Sequence, residues 1–488
     1  MKTVFNLIKK YPGILIILVL TLVAAFLRLY NLERYATFLA DQGRDAIIIK
    51  RIATFEHFTA IGPPTSIGYV FLGPFYYYFI APWFWLFQFQ PVGLVFGVAF
   101  FSICFIPINY LIIKKIFDEK TAFISSLLIA FSSIMIDFSR FSWNPNLLPL
   151  FALVTYILLV LGFEKKSYIY FALFGVMLSF SMQLHYLALI LIPPSGLLFI
   201  AHFINSRKNA KKYIIGMFVS IAAFALGTAP LIIFDLKHNF LNVKSFINLI
   251  ATPNTISSNS LTNLFGAFNF LNQYTFNHSV PEIITTVIGL TLFVYFLTLF
   301  RSVKLLINNK NTLFVFLVLS IIGVSMYPGP KHAHYFGIVY PFYFAVISLF
   351  MVRLFSSLLG KIILIFILSF YIYLQTPGYR FFYADQLNQI EHSKKVAAFL
   401  DQKIGSAPFN FAVQPDGWQE DAYLYFLELS GKRPVNRELR EVTNQMFVIC
   451  GNPCDPYKTR SWNVTMFGSF KIADEWSVEG LKIYKLIH

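Results

Sequence analysis

Charge is scarce in this 488-residue chain: 13% of its residues are Asp, Glu, Lys or Arg, and only 23 acidic side chains stand against 39 basic ones. That composition excludes an ordinary soluble globular protein, in which about a quarter of residues are charged. Cysteine is limited to three residues. Cys104 sits in an apolar run, while Cys450 and Cys454 flank Gly451-Asn452-Pro453 near the end of the chain. Two cysteines with no second pair and no His-x3-His partner fall short of the usual four zinc ligands, so a small bridged turn is expected there. No P-loop and no G-x-G-x-x-G occurs, so the chain lacks the usual nucleotide-binding motifs. Short-period repeats and low-complexity segments are absent too.

What is present is apolar: 57% of the residues are hydrophobic and 18% aromatic. This is the composition of a polytopic membrane protein. The net charge of +16 raises the question of nucleic acid, but the basic residues form short clusters between apolar runs rather than one face with interleaved aromatics. Those clusters are Lys114-Lys115 with Lys120, Lys165-Lys166, Arg207 to Lys212, Arg301 to Lys310, and Arg353 with Lys361. The positive-inside rule places all of them in the cytoplasm and excludes nucleic acid as the partner.

The first apolar stretch follows Lys2, Lys9 and Lys10 and has no small-residue cleavage site after it, so it reads as a retained anchor with a cytoplasmic N-terminus. The aromatic run 72–88, LGPFYYYFIAPWFWLFQ, is long enough to imitate a span, but counting it as one would put Lys114-Lys115 outside and invert every later loop. It is therefore expected to lie along the outer interface or to re-enter. About eleven spans remain, at 12–30, 92–113, 121–136, 147–163, 168–182, 186–204, 213–234, 283–300, 312–327, 337–352 and 362–375. The outer face then receives the loops 31–91, 137–146 and 235–282, the turns near His185 and at 328–336, and everything after Thr376.

Beyond residue 376 the hydrophobic runs stop. Short β-type stretches at 409–413, 446–450 and 481–487 and helical patterns at 388–402 and 419–430 predict a small extracytoplasmic α/β domain. The expected organisation is an all-α transmembrane module over 1–376 and a soluble domain over 377–488.

The polar clusters gather at outer span ends. A helix starting near Asp41 carries Asp41, Arg44 and Asp45 on one face through i, i+3 and i+4 spacing, with Ala46, Ile47, Ile48, Ile49 and Ile52 resting on the bilayer. A carboxylate there suits a general base and an adjacent cation suits a phosphate. The alternative is a solvated helix on which Asp41 and Asp45 merely neutralise Arg44, Lys50 and Arg51. The loop 137–146 (DFSRFSWNPN) offers Arg140 and Asn144 to a cavity, or else makes an interfacial belt of Phe141 and Trp143. His185 with Gln183, and Lys331 with His332 and His334, form two more clusters. The i, i+2 histidines are a poor metal pair and, with Lys331, a better phosphate cradle.

The order of these features resembles a known family: R-x-Y-N-L (residues 28–32) before D-Q-G-R-D, then LGPFYYYFIAP and FSRFSWNPN. It is similar to the membrane glycosyltransferases of the GT-C superfamily, above all the protein mannosyltransferase and aminoarabinose transferase group, glycosyltransferase family 39. The resemblance implies inverting transfer of a sugar from a polyprenyl-phosphate donor to a lipid, glycan or protein acceptor at the outer face of the plasma membrane. It gives Asp41 the role of catalytic base or acceptor organiser, with Asp45 as its second charge, and Arg44 a hold on the lipid phosphate. Gln42 stands where the family usually has Glu, Asn144 where relatives often have Asp, and Leu72-Gly73-Pro74 where aminoarabinose transferases have a lysine before proline. The resemblance points to no particular cofactor, and a divalent metal stays open. A surface-polysaccharide polymerase or ligase is the nearest competing reading, and a transporter or flippase a more distant one, since polar breaks near the membrane midplane are missing.

Overall fold

Inside lipid every backbone polar group must be satisfied within the segment, so long apolar runs fold as helices. The computed structural model describes residues 12–65, 70–251, 260–327, 329–416, 419–436, 439–451 and 454–488. Lys2, Lys9, Lys10, Pro328, Asn452 and Pro453 lie outside the described residues. The chain divides into two compact units, each described here by itself. The first comprises Met1–Tyr30, Thr59–Phe79 and Gly97–Tyr383, and the second Asn31–Phe58, Ile80–Phe96 and Ala384–His488.

Among the described residues six helices are long and apolar enough to cross a membrane: Val92–Ile116, Asn144–Lys165, Tyr186–Asn205, Arg207–Gly227, Glu282–Leu299 and Leu358–Gly378. Shorter apolar helices are Gly13–Leu29, Tyr168–Leu184, Asn309–Ser325 and Tyr340–Leu354. Each expected span thus has its helix, but two are broken. Glu119–Phe131 and Ser133–Ser139 meet at 61°. The Gln375 Oε1 accepts from both the Ser133 N–H and its hydroxyl, each at 2.8 Å, supplying the partner that the break removes. The expected span 213–234 is interrupted at Thr228, because Pro230 in the first turn of Ala229–Lys237 has no N–H to continue the ladder.

The loop expected over 235–282 holds helices at Leu241–Ala251 and Ser260–Phe276. The second is locked among the spans: Tyr343 donates to Asn272 Oδ1, Asn272 Nδ2 donates to Thr285 Oγ1 at 3.3 Å, and Phe268 and Leu271 are buried. The aromatic run forms the helix Phe75–Leu86, twelve residues. At 1.5 Å per residue it reaches about 18 Å, too short to cross a bilayer core of about 30 Å.

Within the first unit Lys115 pairs with Glu164 at 2.8 Å and Lys114 with Glu119 at 3.2 Å. Asn309 donates to Glu164 as well. The ends of several spans that carry basic residues therefore meet at one end of the bundle. Asn144 and Trp143 stand at the other end of the 22-residue helix Asn144–Lys165, roughly 33 Å away.

The second unit contains a four-stranded sheet in the order β1-β2-β4-β3, with β1 Asn410–Gln414, β2 Gln445–Cys450, β3 Lys471–Val478 and β4 Leu481–Ile487. β1 and β2 are parallel, and β4 is antiparallel to both β2 and β3. The helices Gln389–Ile404 and Glu420–Leu429 are those expected from the sequence. β3 was not expected. It is a half-exposed edge strand whose Asp474 and Glu475 disfavour the assignment, and it is returned to β4 by Glu479-Gly480, both at positive φ as a two-residue hairpin requires. Cys450 and Cys454 form a disulfide. The unit is larger than the tail alone, since it takes in two segments from the first long loop.

Candidate functional site

The helix Ala40–Ala53 starts at a sequence with no Ser, Thr or Asp cap, and Gln42 takes over that duty: its Oε1 accepts from the Leu39 N–H at 3.1 Å. Gln42 is buried there. Gln42 thus helps to build the helix start. One turn on, Arg44 bridges two carboxylates, with Nη1 to Asp41 Oδ1 at 2.8 Å and both Nη2 and Nε to Asp45 Oδ1 at 2.7 and 3.0 Å. The two acids are unequal. The Asp45 side chain is 1% exposed and that of Asp41 57%. Asp45 orients the guanidinium, and Asp41 presents a carboxylate to solvent.

The apolar face of this helix does not lie on lipid. Ala46, Ile49 and Ile52 are buried and the helix packs along Glu420–Leu429 of the tail. Gly43 makes that approach possible: a Cβ there would sit 2.3 Å from the Ala422 nitrogen and the Asp421 carbonyl carbon. Glu428 closes the far end, accepting from Arg51 Nη2 at 2.6 Å, Lys50 Nζ at 3.2 Å and Arg433 Nη2 at 3.1 Å. Lys50 and Arg51 are therefore neutralised from the tail and not by Asp41 or Asp45. Just ahead of the helix, the Phe38 N–H donates to Gln389 Oε1 at 2.8 Å, and the Phe38 ring meets Tyr425 and Phe426 edge-on. Gly43, Glu428 and Gln389 were missed as functional positions. A glycine inside an otherwise helical pattern was the available signal.

Burial pushes the Glu428 carboxyl up, but the hydrogen bonds and charge of Arg51, with those of Lys50 and Arg433, outweigh it and hold the group below the ordinary glutamate value. A depressed carboxylate contributes stability above its unfolded pKa and loses it as pH falls through the folded one. The docked helix is thus expected to hold at neutral pH and to loosen below about pH 4.3. Thermal melts of wild type and Glu428→Gln should differ at neutral pH and converge on acidification.

In the first unit, His185 and His334 lie 5.5 Å apart between ring centres, with Trp143 against His334 at 4.6 Å, Tyr335 at 4.4 Å and His332 at 5.7 Å. The His185 Nδ1 accepts from the Leu187 N–H at 3.1 Å, which leaves its proton on Nε2. Burial lowers His185 to about 4, and burial with its two histidine neighbours lowers His334 to about 3. These two rings are neutral N–H donors, not cations. Lys331, whose pKa burial also lowers, gives its ammonium to the Tyr327 and Gly329 carbonyls. The pH profile of turnover is accordingly expected to show no step from His185 or His334 between about pH 5 and 8. A step there that His334→Gln abolishes would contradict this burial.

Arg140 and Asn144, expected at substrate, have structural partners. Arg140 donates to the Leu27, Arg28 and Tyr30 carbonyls at 3.2, 3.0 and 2.8 Å and lies over the Phe381 ring. It caps the end of the first span, whose last carbonyls have no helical partner. Asn144 donates to the Leu184 carbonyl at 2.5 Å. At Gly73 a Cβ would lie 2.3 Å from Gln183 Oε1, which accepts from the Phe75 N–H at 3.2 Å. Gln183 occupies the space a longer side chain would need. Among the described residues no group of three or more His, Cys, Asp or Glu side chains is placed to hold a metal ion.

Residues 72–232 match the dolichyl-phosphate-mannose-protein mannosyltransferase family. No curated protein matches the chain. Among solved structures the fold is similar to that of ArnT from Cupriavidus metallidurans in the apo state, at 11% identity over 98% of each chain, with a TM-score of 0.62. ArnT bound to undecaprenyl phosphate aligns at 12% identity over 97% of this chain and 98% of that one, with a TM-score of 0.54. The archaeal oligosaccharyltransferase AglB from Archaeoglobus fulgidus, in complex with an inhibitory peptide and a dolichol-phosphate, aligns at 14% identity with a TM-score of 0.55. That alignment covers 88% of this chain and 64% of AglB, so the chain spans a little under two thirds of AglB's length. At these identities the likeness is one of fold. The chain is a membrane protein with the fold of the GT-C glycosyltransferases, and its residues 72–232 match the mannosyltransferase family within that fold.

Proposed function

We propose that the protein is a GT-C glycosyltransferase that moves a sugar from a polyprenyl-phosphate donor to an acceptor hydroxyl or amine at the outer face of the plasma membrane, with inversion. The observation that carries this reading is the exposed Asp41 carboxylate held by Arg44, which is itself fixed by buried Asp45. The ArnT and AglB structures, one bound to undecaprenyl phosphate and the other to a dolichol-phosphate, support a lipid-phosphate donor.

In this mechanism Asp41 takes the proton of the acceptor nucleophile, which attacks the anomeric carbon as the bond from that carbon to the phosphate oxygen breaks. A glycosidic bond forms on the opposite face of the ring, and polyprenyl phosphate leaves. Arg44 supplies positive charge for the phosphate, and Asp45 positions Arg44 without touching substrate. In the first unit, His185, His332, His334 and Lys331 form a polar cluster of their own, with His185 and His334 as uncharged N–H donors. Gln42, Arg140 and Asn144 shape the surrounding elements.

The collection of Lys114, Lys115 and Lys165 at one end of the bundle supports a cytoplasmic N-terminus and an extracytoplasmic tail. A single cysteine introduced near Lys115 should resist an impermeant thiol reagent in intact cells, and labelling there would reverse the orientation. The activity is tested with purified protein in detergent, supplied with polyprenyl-phosphate sugars and an acceptor, following free polyprenyl phosphate. Its release with formation of a glycoside is the expected result. Movement of the sugar across proteoliposomes with its phosphate bond intact would make the protein a transporter.

A further inference from the structure

The parallel strands β1 and β2 send their chains to opposite faces of the tail's sheet. β1 runs on to Glu420–Leu429, which packs on Gln389–Ile404. That layer covers the face of Ile483, because Phe399 meets Trp476, the cross-strand partner of Ile483. β2 leads to the short helix Trp462–Phe467, whose Val464 and Phe467 pack against Ala412, Val448 and Tyr484 of the other face. Adjacent parallel strands whose connections diverge in this way open a crevice beyond their carboxyl ends, the place where open α/β sheets bind ligands.

A cavity of about 410 Å³ lies there, lined chiefly by Gln414, Asp416, Gly451, Cys454, Thr459 and Ser461. Its size falls within the usual range for a small-molecule site. Gln414 is 8% exposed, and its Nε2 has no hydrogen-bond partner among the described residues. Among the described residues its Oε1 faces the disulfide sulfur of Cys454 at 3.7 Å, which has no proton to give. Asp416 accepts from the Ser461 hydroxyl and remains exposed. A ligand that accepts from Gln414 therefore gains from a donor already desolvated.

The described lining carries one carboxylate, one amide, two hydroxyls and no cation. An anion would meet Asp416 without a counter-charge, and a cation would find one carboxylate where several are usual. A neutral group that donates to Asp416 and accepts from Gln414 through one and the same atom is a hydroxyl, and several hydroxyls on one rigid ring make a sugar. We propose that this crevice binds a neutral saccharide unit. The inference stands apart from the transferase reading, since none of these residues belongs to the site assigned there.

The test uses the full chain in a zwitterionic, sugar-free detergent, titrated with methyl glucoside, methyl galactoside and methyl mannoside and read by saturation-transfer NMR. At least one should saturate, with Gln414→Ala and Asp416→Asn each weakening it by about tenfold, the loss of one good hydrogen bond. Thermal unfolding should stay at the wild-type value. Should Gln414→Ala fail to fold, Asp416→Asn, at an exposed position, carries the same test. Saturation by none of the three glycosides, saturation that survives both substitutions, or a response to calcium chloride alone would overturn the proposal.

Discussion

Asp41→Asn is expected to lower turnover by roughly two to four powers of ten, the scale of acid-base assistance, while leaving the fold intact. The substitution keeps the shape and a hydrogen-bond acceptor for Arg44 and removes only the basicity. Asp41 is the exposed member of its cluster, at 57% side-chain exposure, so its change should not disturb packing. Asp45→Asn should behave differently. It weakens the hold on Arg44 through a buried contact, and its effect should be shared between stability and donor KM. Arg44→Ala removes a contact made in both ground and transition states, and a raised KM with a smaller change in kcat is the expected signature. Purified variants compared by initial rate and by thermal melt separate these cases.

Gly43→Val is the second large effect. The β-carbon of any larger residue would be driven into the backbone of Asp421 and Ala422, 2.3 Å away, and backbone cannot swing aside as a side-chain tip does. Overpacking of this kind costs about 1–3 kcal/mol. The functional cost is greater than the cost in stability, because the helix that must shift is the one carrying Asp41 and Arg44, and a displacement of about 1 Å can cost 10²-fold in rate. Turnover should therefore collapse while most of the protein stays folded. Glu428→Ala attacks the other end of the same docking, leaving Lys50 and Arg51 without their carboxylate, and should produce a milder form of that phenotype. Removing residues 384–488 should spare the spans of the first unit and abolish turnover, since Ala46, Ile49 and Ile52 would lose their packing partner. Full activity in the truncated protein would show that the tail does not hold the acidic helix in place.

The spans were legible because hydropathy alone decides them, and β4 was legible to the residue because Leu481, Ile483, Tyr484 and Leu486 mark its buried positions. The helix Ser260–Phe276 was not, since Asn263, Asn269 and Asn272 lower its hydropathy below that of a span, and the buried partners of Asn272 explain why that residue is tolerated. The cluster of Asp41, Arg44 and Asp45 was visible in its i, i+3 and i+4 spacing, and the structure adds which acid is buried. Periodicity could place the helix, and it could not say what its apolar face meets. The answer lay in the tail, in the helix Glu420–Leu429, whose Glu428 pairs with Lys50 across 378 residues of chain. Arg140 and Asn144 show the converse: their polar character at a span end suggested substrate, and spacing gave no sign of the hydrogen bonds that each donates to a backbone carbonyl.

The most direct test of the central claim is a single-turnover measurement of polyprenyl phosphate released from a polyprenyl-phosphate sugar, made side by side in the same proteoliposomes on wild type, Asp41→Asn and Asp137→Asn, Asp137 being the carboxylate that opens the second outer loop, 137–146. Release by wild type, its near-complete loss in Asp41→Asn and its survival in Asp137→Asn are what the first-loop carboxylate requires of a general base. Near-normal release by Asp41→Asn together with loss in Asp137→Asn would move the base to the second loop and contradict the mechanism proposed for this chain.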